Sequence, residues 1–339
     1  MNKKRIVTGV GVVLLITGIV GSIWSGIEVM PKLINDAQAM QNNLNQQEIL
    51  YKGQIDLAKL NINSKVSNII IKKYDGKDVI VERSGNKNLS TITTKESGSE
   101  LTIDEEFNNN NSNLGVRYLV DELYTSHNSD ITVYIPENID INVNTNNGGL
   151  YIDGVNANNL NFNTQYGNIS LSENSNIKTL NIKSNSDISL KVREVYCIDN
   201  LSIESNYVNI YEGTFVEDES KIPESIKILA QGGYANSVNI NTNLPIAKNL
   251  DITSEENVDL KLPISDYKFN FDIKTSNSIS FDENSVSKYL GTSLENYINS
   301  NDTEHILNEK SFKGLINEEL INNPTEYFVN IRSANVKFN

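Results

Sequence analysis

The chain has 339 residues, of which 38% are apolar, 7% are aromatic and 21% are charged, and its formal net charge is −14. The first thirty residues carry Lys3, Lys4 and Arg5 against Glu28, so the remainder carries −14 − 2 = −16. A surface this acidic repels phosphate backbones, so we expect no nucleic acid partner. Cys197 is the single cysteine, which excludes an intramolecular disulfide and a cysteine cluster for zinc or iron–sulfur binding.

The N-terminal segment predicts a membrane anchor. A basic stretch precedes an uncharged and mostly apolar run from Ile6 to Trp24, which at a rise of about 1.5 Å per residue spans a hydrocarbon core of roughly 30 Å. Because Lys and Arg resist translocation, we expect a cytoplasmic tail over residues 1–5, a transmembrane helix over 6–27 and an extracytoplasmic remainder. The alternative is a cleaved signal peptide, although the nearest Ala-x-Ala pattern, at residues 37–39, lies well beyond the apolar run.

A short template recurs along the chain. After residues 28–56, which indicate a helical or loose stalk, the hydrophobic period changes to two, as apolar-x-apolar-x-Ser/Thr, a gap, and apolar-x-apolar. Copies begin at Leu60, Ile141, Leu160, Leu180, Leu201, Leu250, Phe271 and Val329, and their hydroxyl residues are Ser64, Thr145, Thr164, Ser184, Ser205, Ser254, Thr275 and Ser333. The starts at 141, 160, 180 and 201 lie 19, 20 and 21 residues apart, which is too short for a domain.

These repeats predict an all-β fold in which each copy is one layer. Alternation places Leu160 and Phe162 inward and Asn161 and Asn163 outward, with the hydroxyl residue at an inward corner where the chain turns. One layer buries almost nothing by itself, whereas layers stacked about 4.8 Å apart pair their backbones and join their apolar rows into a core. We therefore predict a parallel β-solenoid with coils of about 20 residues over residues 57–339. A β-sandwich is the alternative, since it also shows short strands at regular spacing.

The repeat units resemble those of a known family. The stretch SDITVYIPENIDINVNTNNGGLYIDGV, residues 129–155, followed by LNFNTQYGNISL, is similar to the bacterial "putative adhesin" family of β-strand-repeat proteins, a domain of unknown function. The resemblance rests on a strand ending in Ile135-Pro136 and on tandem strand–Thr–turn–Gly–strand units. It covers roughly residues 57–283 and the final EYFVNIRSANVKF, and it implies a β-solenoid, commonly behind an N-terminal membrane helix. The turn glycine is present at Gly149 and Gly167 but is replaced in later copies.

Residues 284–323 interrupt the repeat. Their apolar residues have helical spacing, so we predict a helical insertion that lies across the solenoid or caps its open edge. These residues are Leu290, Leu294, Tyr297 and Ile298, followed by Leu315, Ile316, Leu320 and Ile321.

The sequence contains no convergent set of catalytic, cofactor-binding or metal-binding residues. The acidic stretches Asp104–Phe107 and Glu217–Ser220 are typical of solvated charge runs in polar turns, because nothing apolar flanks them to shift a pKa. Cys197 is predicted to be a buried, inert thiol. His127 is predicted to lie in an exposed loop, and His305 has no second ligand within helical reach. We therefore expect a protein that is not an enzyme.

Five tyrosines form a candidate binding face. Tyr134, Tyr151 and Tyr211 have outward parity, and Tyr166 and Tyr207 follow a corner hydroxyl by two residues, so stacking could align some of them into an aromatic ladder. Such a ladder can stack on sugars or contact proteins. The alternative is that tyrosine is simply a good strand former on a half-exposed face.

Together these features predict a single-pass cell-membrane protein whose C-terminal β-solenoid lies outside the cytoplasm and serves as a non-enzymatic, adhesin-like binding or scaffolding module. The expected partner is a cell-envelope polymer or a surface protein. One alternative is an envelope-stress regulatory accessory protein that acts through a membrane partner, since a tail of about five residues holds no signalling domain. Another alternative is a carbohydrate-active enzyme.

Overall fold

The computed structural model describes residues 47–85, 90–107, 129–136, 138–212, 219–232, 236–264, 266–281, 306–307, 311–316 and 325–339. The predicted tail, the transmembrane segment 6–27 and most of the stalk lie outside these residues. Within the described part of the chain, no helix is both long enough and apolar enough to cross a membrane.

The regular elements of the described residues are almost all strands. In chain order these are β1 (Glu48–Gly53), β2 (Lys59–Ser64), β3 (Asn68–Lys73), β4 (Val79–Ser84), β5 (Ser90–Ser97), β6 (Glu100–Phe107), β7 (Asp130–Ile135), β8 (Ile139–Thr145), β9 (Leu150–Asp153), β10 (Asn156–Thr164), β11 (Ile169–Leu171) and β12 (Asn176–Ser184). They continue as β13 (Asp187–Lys191), β14 (Ile198–Ser205), β15 (Tyr207–Tyr211), β16 (Ser225–Ala230), β17 (Asn236–Asn241), β18 (Asn249–Ser254), β19 (Asn257–Lys261), β20 (Lys268–Phe281), β21 (Ile306–Leu307), β22 (Ser311–Ile316) and β23 (Glu326–Phe338). Helix α1 (Val192–Val195) and a 3-10 turn, Glu219–Lys221, complete the set.

Each coil consists of one strand, a corner and a second strand, so the stacked coils form two sheets. We call the sheet of strands before the corner the front sheet and the sheet of strands after it the rear sheet. Successive front strands pair in parallel from β8 through β10, β12, β14 and β16 to β18. On the rear, β13, β15, β17 and β19 do the same. These parallel registers confirm the β-solenoid and exclude the antiparallel β-sandwich.

The core follows the predicted parity. Leu160 pairs with Ile141 on one side and with Leu180 on the other, and Phe162 lies between Val143 and Ile182 in the same way. All six side chains are at most 2% exposed. Each coil thus contributes one layer to continuous aliphatic rows, and burying each such side chain stabilises the fold by about 1.5–3 kcal/mol.

Seven of the eight corner hydroxyl residues are buried, as their inward parity predicts, and Ser333 is half-buried. Where their hydrogen bonds to the backbone are described, these bonds lie within the same turn rather than reaching the next coil. The Thr145 Oγ1 accepts from the Gly148 N–H at 2.9 Å, and the Thr164 Oγ1 accepts from the Gly167 N–H at 2.7 Å. In a later coil the Ser205 Oγ donates to the Tyr207 carbonyl at 3.0 Å. The hydroxyl therefore replaces part of the backbone pairing that the chain gives up where it turns.

Gly167 is required by the stacking of corners. A Cβ on this residue would lie 2.6 Å from the Thr164 Oγ1 and would overlap the carbonyl oxygen of Gly148 in the adjacent coil. We predict that Gly167→Ala lowers the free energy of unfolding by about 2–3 kcal/mol, because one of two hydrogen-bonded backbones must shift. Gly314→Ala is the matched control, since its Cβ would meet only the Phe312 ring at 3.5 Å. Equal denaturation midpoints for the two variants would contradict this role of the corner.

Spatial order departs from chain order at both ends of the solenoid. The coil of β2 and β3 lies between the β6–β7 strands and the β8–β9 coil. At the other end, β23 inserts between the β18–β19 coil and β20, and it pairs in parallel with both. Strand β23 is therefore an interior strand of both sheets, so the parallel stack is incomplete without it.

Antiparallel strands cover the two open ends. At one end β5 pairs with β6, and β4 pairs with β7 and with β1. At the other end β21 and β22 pair with β20. Unpaired edges of a parallel stack invite pairing with other chains, and these strands occupy them.

Two segments that the sequence predicted to be helical or loose contain strands. Within the predicted helical insertion 284–323, the described residues Ile306–Leu307 and Ser311–Ile316 are strands, because β20 presents an open edge that they pair with; the rest of the insertion lies outside the described residues. The last part of the predicted helical or loose stalk, Glu48–Gly53, is also a strand, because it pairs with β4 at the opposite end.

The rear sheet divides between β11 and β13. In the described structure β11 pairs with β9 and β13 with β15, but no ladder joins β11 to β13. The corner shortens at the same place, since four residues separate Thr164 from Ile169 and three separate Ser184 from Ile188. The buried Glu194 bridges the division by accepting from the Ser170 Oγ at 2.6 Å and from the Lys191 N–H at 2.7 Å.

Candidate functional site

The tyrosines of the candidate face do not align into a ladder. Tyr151 lies between Ile70 and Ser170, and Tyr134 lies between Ile80 and Lys72. On the other part of the rear sheet, Tyr211 lies between Lys191 and Asn241, and Tyr207 lies beside Asp187. The register thus places no two of these four side chains next to each other across a strand pair.

Tyr166 and Tyr151 are the most exposed of the five tyrosines. Tyr166 lies in a corner and is 64% exposed, and Tyr151 is 40% exposed on the outer face of the rear sheet. Tyr134 is half-buried, packs edge-on against Tyr74 at 6.3 Å, and has its pKa raised by burial and by the adjacent Glu82 carboxylate. Of the five tyrosines, Tyr151 and Tyr166 therefore have the two well-exposed rings, one on the rear sheet and the other in a corner.

A groove of about 400 Å³ crosses the rear sheet next to Tyr151. It runs across the starts of β3, β9 and β11. Its lining residues are Asn68, Ile69, Ile70, Asp130, Gly149, Leu150, Tyr151, Asn168, Ile169 and Ser170. In this groove the exposed Tyr151 meets a concave surface, a combination that the sequence did not predict.

The outer face of the front sheet carries polar side chains in register. In one row, Asn61, Asn142, Asn161 and Asn181 form a ladder in which each amide donates to the preceding side chain, at 2.9, 2.7 and 2.9 Å. A parallel row contains Asn63, Asn144 and Asn163. It continues with the exposed ion pair of Lys183 and Glu204, at 2.8 Å. The stacking of coils therefore converts the repeated outward asparagines into a long, ordered polar face.

The acidic stretch Asp104–Phe107 differs from the solvated charge run that the sequence indicated. Glu106 is exposed, but Glu105 is only 2% exposed. The Glu105 Oε2 accepts from the backbone N–H groups of residues 65–67 at 3.0–3.1 Å and from the Ser64 Oγ at 2.7 Å. Its Oε1 accepts from the hydroxyls of Ser67 and Ser90, each at 2.6 Å. The carboxylate is thus held by six donors.

The position of Glu105 explains these contacts. In an interior coil, the N–H groups of the corner bond the previous corner, as Gln165 and Tyr166 do with the carbonyls of Thr145 and Asn146. Beyond β6 the described chain does not stack a corner onto residues 65–67, and the Glu105 carboxylate takes the place of those carbonyls. Arg83 extends the network by donating to the Ser90 carbonyl at 2.9 Å.

The electrostatics of Glu105 favour a structural role. Burial alone would raise its pKa, but the hydroxyls of Ser67, Ser90 and Ser64 and the Val66 N–H outweigh burial and lower the pKa to about 2. A general base needs a pKa closer to the working pH and an exposed oxygen, so this carboxylate is a poor catalyst.

Cys197 is buried, and burial raises the pKa of its thiol to about 11, in agreement with the inert thiol predicted. His127 and His305, with the acidic residues Glu217 and Asp218, lie outside the described residues. Among the residues that are described, no three His, Cys, Asp or Glu side chains are grouped as metal ligands.

Parallel coils stacked around an aliphatic core, with polar rows outside and antiparallel strands at both ends, define a β-solenoid domain of the strand-repeat class. Residues 57–296 match the Toastrack DUF4097 family, and the chain belongs to that family. This match confirms the family resemblance that the strand–Thr–turn–Gly–strand units indicate in the sequence.

Two solved structures align with most of the chain. One is a putative adhesin from Bacteroides fragilis NCTC 9343, which is 11% identical, covers 88% of this chain and 98% of its own, and has a TM-score of 0.42. The other is a putative cell adhesion protein from Clostridium sporogenes ATCC 15579, which is 12% identical, covers 87% of this chain and 98% of its own, and has a TM-score of 0.22. No curated protein sequence matches this chain.

Proposed function

We propose that this protein is a membrane-anchored, extracytoplasmic β-solenoid that acts as a non-enzymatic binding or scaffolding module for a cell-envelope polymer or a surface protein. The anchor is the apolar run Ile6 to Trp24, with the basic residues before it on the cytoplasmic side. The solenoid is the binding part.

The observation that carries the proposal is the registered polar face of the front sheet. Its ladder of four asparagines is ordered by hydrogen bonds between coils, so the outward amides are fixed before any partner arrives. Side chains that are already ordered lose little conformational entropy on binding. A long face of repeated, pre-ordered groups suits an extended partner better than a small molecule.

The buried acidic groups support a module without catalysis. Glu105 and Glu194 are each at most 4% exposed, and both are engaged in hydrogen bonds that hold the solenoid together. Both carboxylates therefore have a structural role, and neither carboxylate group is open to a substrate.

A single experiment on intact cells tests both the location and the partner. An amine-reactive cross-linker that does not cross membranes should label exposed solenoid lysines such as Lys183, which is 60% exposed at its side chain, before the cells are lysed. With an affinity tag after Asn339, we expect the captured material to be an envelope polymer or a surface protein. The matched control is a tagged cytoplasmic protein of the same cells, which should stay unlabelled.

The outcomes separate the alternatives. Labelling only after lysis would contradict the extracytoplasmic location. Capture of one predominant integral membrane protein would favour the envelope-stress accessory over the adhesin-like module. Release of shortened polysaccharide by the purified chain, lost on replacement of one Asp or Glu, would favour the carbohydrate-active enzyme.

A further inference from the structure

We propose that the groove over β3, β9 and β11 is a saccharide subsite for a neutral or amino-bearing glycan. In this site the Tyr151 ring is the stacking surface, and a notch at Gly149 is the space that one sugar ring enters. The proposal deepens the proposed binding function and rests on it, since it names the ligand class and the residues for one part of the surface.

The notch arises from a missing side chain. In the outward row at the start of the rear strands, Gly149 stands between Asn68 on β3 and Asn168 before β11. A Cβ on Gly149 would lie 3.2 Å from the Asn168 carbonyl oxygen and 3.7 Å from the Asn68 Oδ1. Glycine fits here because the Asn168 backbone approaches closely, and beyond the position of the missing Cβ the outer face lacks a side chain. Two residues further along the same outward face, the exposed Tyr151 ring borders the notch.

The polar groups around the notch are held in place. The Asn68 Oδ1 accepts from the Gly149 N–H at 3.1 Å, and the Asn68 Nδ2 donates to the Asp130 Oδ1 at 3.1 Å. Asn168 presents an exposed side chain at the opposite wall. One aromatic face with a few fixed amide and carboxylate groups is the combination that orients a ligand carrying both C–H and hydroxyl faces, as a pyranose does.

Charge narrows the ligand class. Among the lining residues, Asp130 is the one acidic side chain, and no Lys or Arg lines the groove. The chain as a whole carries −14. An anionic glycan would therefore meet repulsion without a compensating cation, whereas a neutral or amino sugar would not.

The test measures binding of defined tetrasaccharides to the full-length protein in detergent micelles by calorimetry. The probes are the tetramer of N-acetylglucosamine, the tetramer of glucosamine and, as the anionic comparison, the tetramer of galacturonic acid. We expect one of the first two to bind, and Tyr151→Ala to weaken it by about tenfold or more, because aromatic anchors dominate such sites. Tyr151→Phe keeps the ring and should bind as the parent does.

Two further variants locate the effect. Gly149→Val fills the notch and should also weaken binding by about tenfold, with its melting temperature measured to show that the fold is kept. If Gly149→Val does not fold, the Tyr151 pair decides the result. Phe328→Ala removes another exposed aromatic ring, on β23 and outside the groove, and should leave the affinity unchanged.

The subsite is overturned if neither the neutral nor the amino tetramer binds, if only the anionic tetramer binds, or if Tyr151→Ala binds as tightly as Tyr151→Phe. Failure of the subsite can be told apart from failure of the proposed function by repeating the cell-surface capture with Tyr151→Ala. If parent and variant capture envelope material equally, the proposed subsite is wrong and the proposed binding function stands. If the parent captures no envelope partner, both proposals are wrong.

Discussion

Removing residues 325–339 should detach the far end of the solenoid and leave its parallel stack incomplete. Five buried side chains would be lost with β23, namely Tyr327, Val329, Ile331, Val336 and Phe338. At about 1.5–3 kcal/mol each, their burial is worth about 10 kcal/mol, which is comparable with the whole stability of a typical domain. The deletion would also leave the neighbouring strands β18, β19 and β20 without the partner between them.

Limited proteolysis followed by mass spectrometry measures this effect. In the deletion variant we expect rapid cleavage around β20 to β22, together with a lowered melting temperature of the remaining coils. Deletion of Asn339 alone is the control, since this residue is exposed and lies beyond β23. A synthetic peptide of residues 325–339 should restore part of the protection, because it can pair with β18 and β19 on one side and with β20 on the other. Unchanged protection of β20 after the deletion would show that β23 is dispensable for the stack.

Glu105→Ala should lower the free energy of unfolding by about 3–5 kcal/mol, because it leaves buried N–H and hydroxyl donors without their acceptor. The matched control is Glu106→Ala, one residue further along and exposed, for which we expect a change within about 0.5 kcal/mol. Chemical denaturation of the three proteins at neutral pH measures both effects. Similar unfolding midpoints for the two variants would contradict the capping role of Glu105.

The same carboxylate predicts how stability depends on pH. The pKa of Glu105 falls from its ordinary value of 4.5 to about 2 in the folded chain. A lowered folded-state pKa adds stability that is present above pH 4.5 and is lost as the pH falls from 4.5 to 2. A shift of this size corresponds to about 3 kcal/mol. Between pH 5 and pH 2.5 the parent chain should therefore lose more stability than Glu105→Ala does.

The repeat could be identified from the sequence because its cause is local. Side chains alternate across any strand, so Leu160 and Phe162 had to share one face, and Thr164 had to fall at the turn that follows. Copies of that pattern every 19–21 residues leave few arrangements other than stacked coils, and the polar residues between them, such as Asn161 and Asn163, had to face outward. The family follows from the same units, since its motifs are those of the fold.

The tertiary structure decided everything that depends on which coil lies beside which. Nothing local to Val329 indicates that its strand stands between β18 and β20, because strand order at the ends is set by which edges remain to be paired. For the same reason residues 311–316 form a strand, because they pair with the open edge of β20 although their apolar residues have helical spacing.

The sequence indicated a solvated Glu105 because its six donors come from residues 64–67 and 90, far from it in sequence. The groove beside Tyr151 likewise exists only where Gly149 and its neighbours on other coils are stacked. Periodicity is a property of one strand and can be read from it, whereas edges, caps and grooves are properties of neighbouring strands and appear only when the coils are assembled.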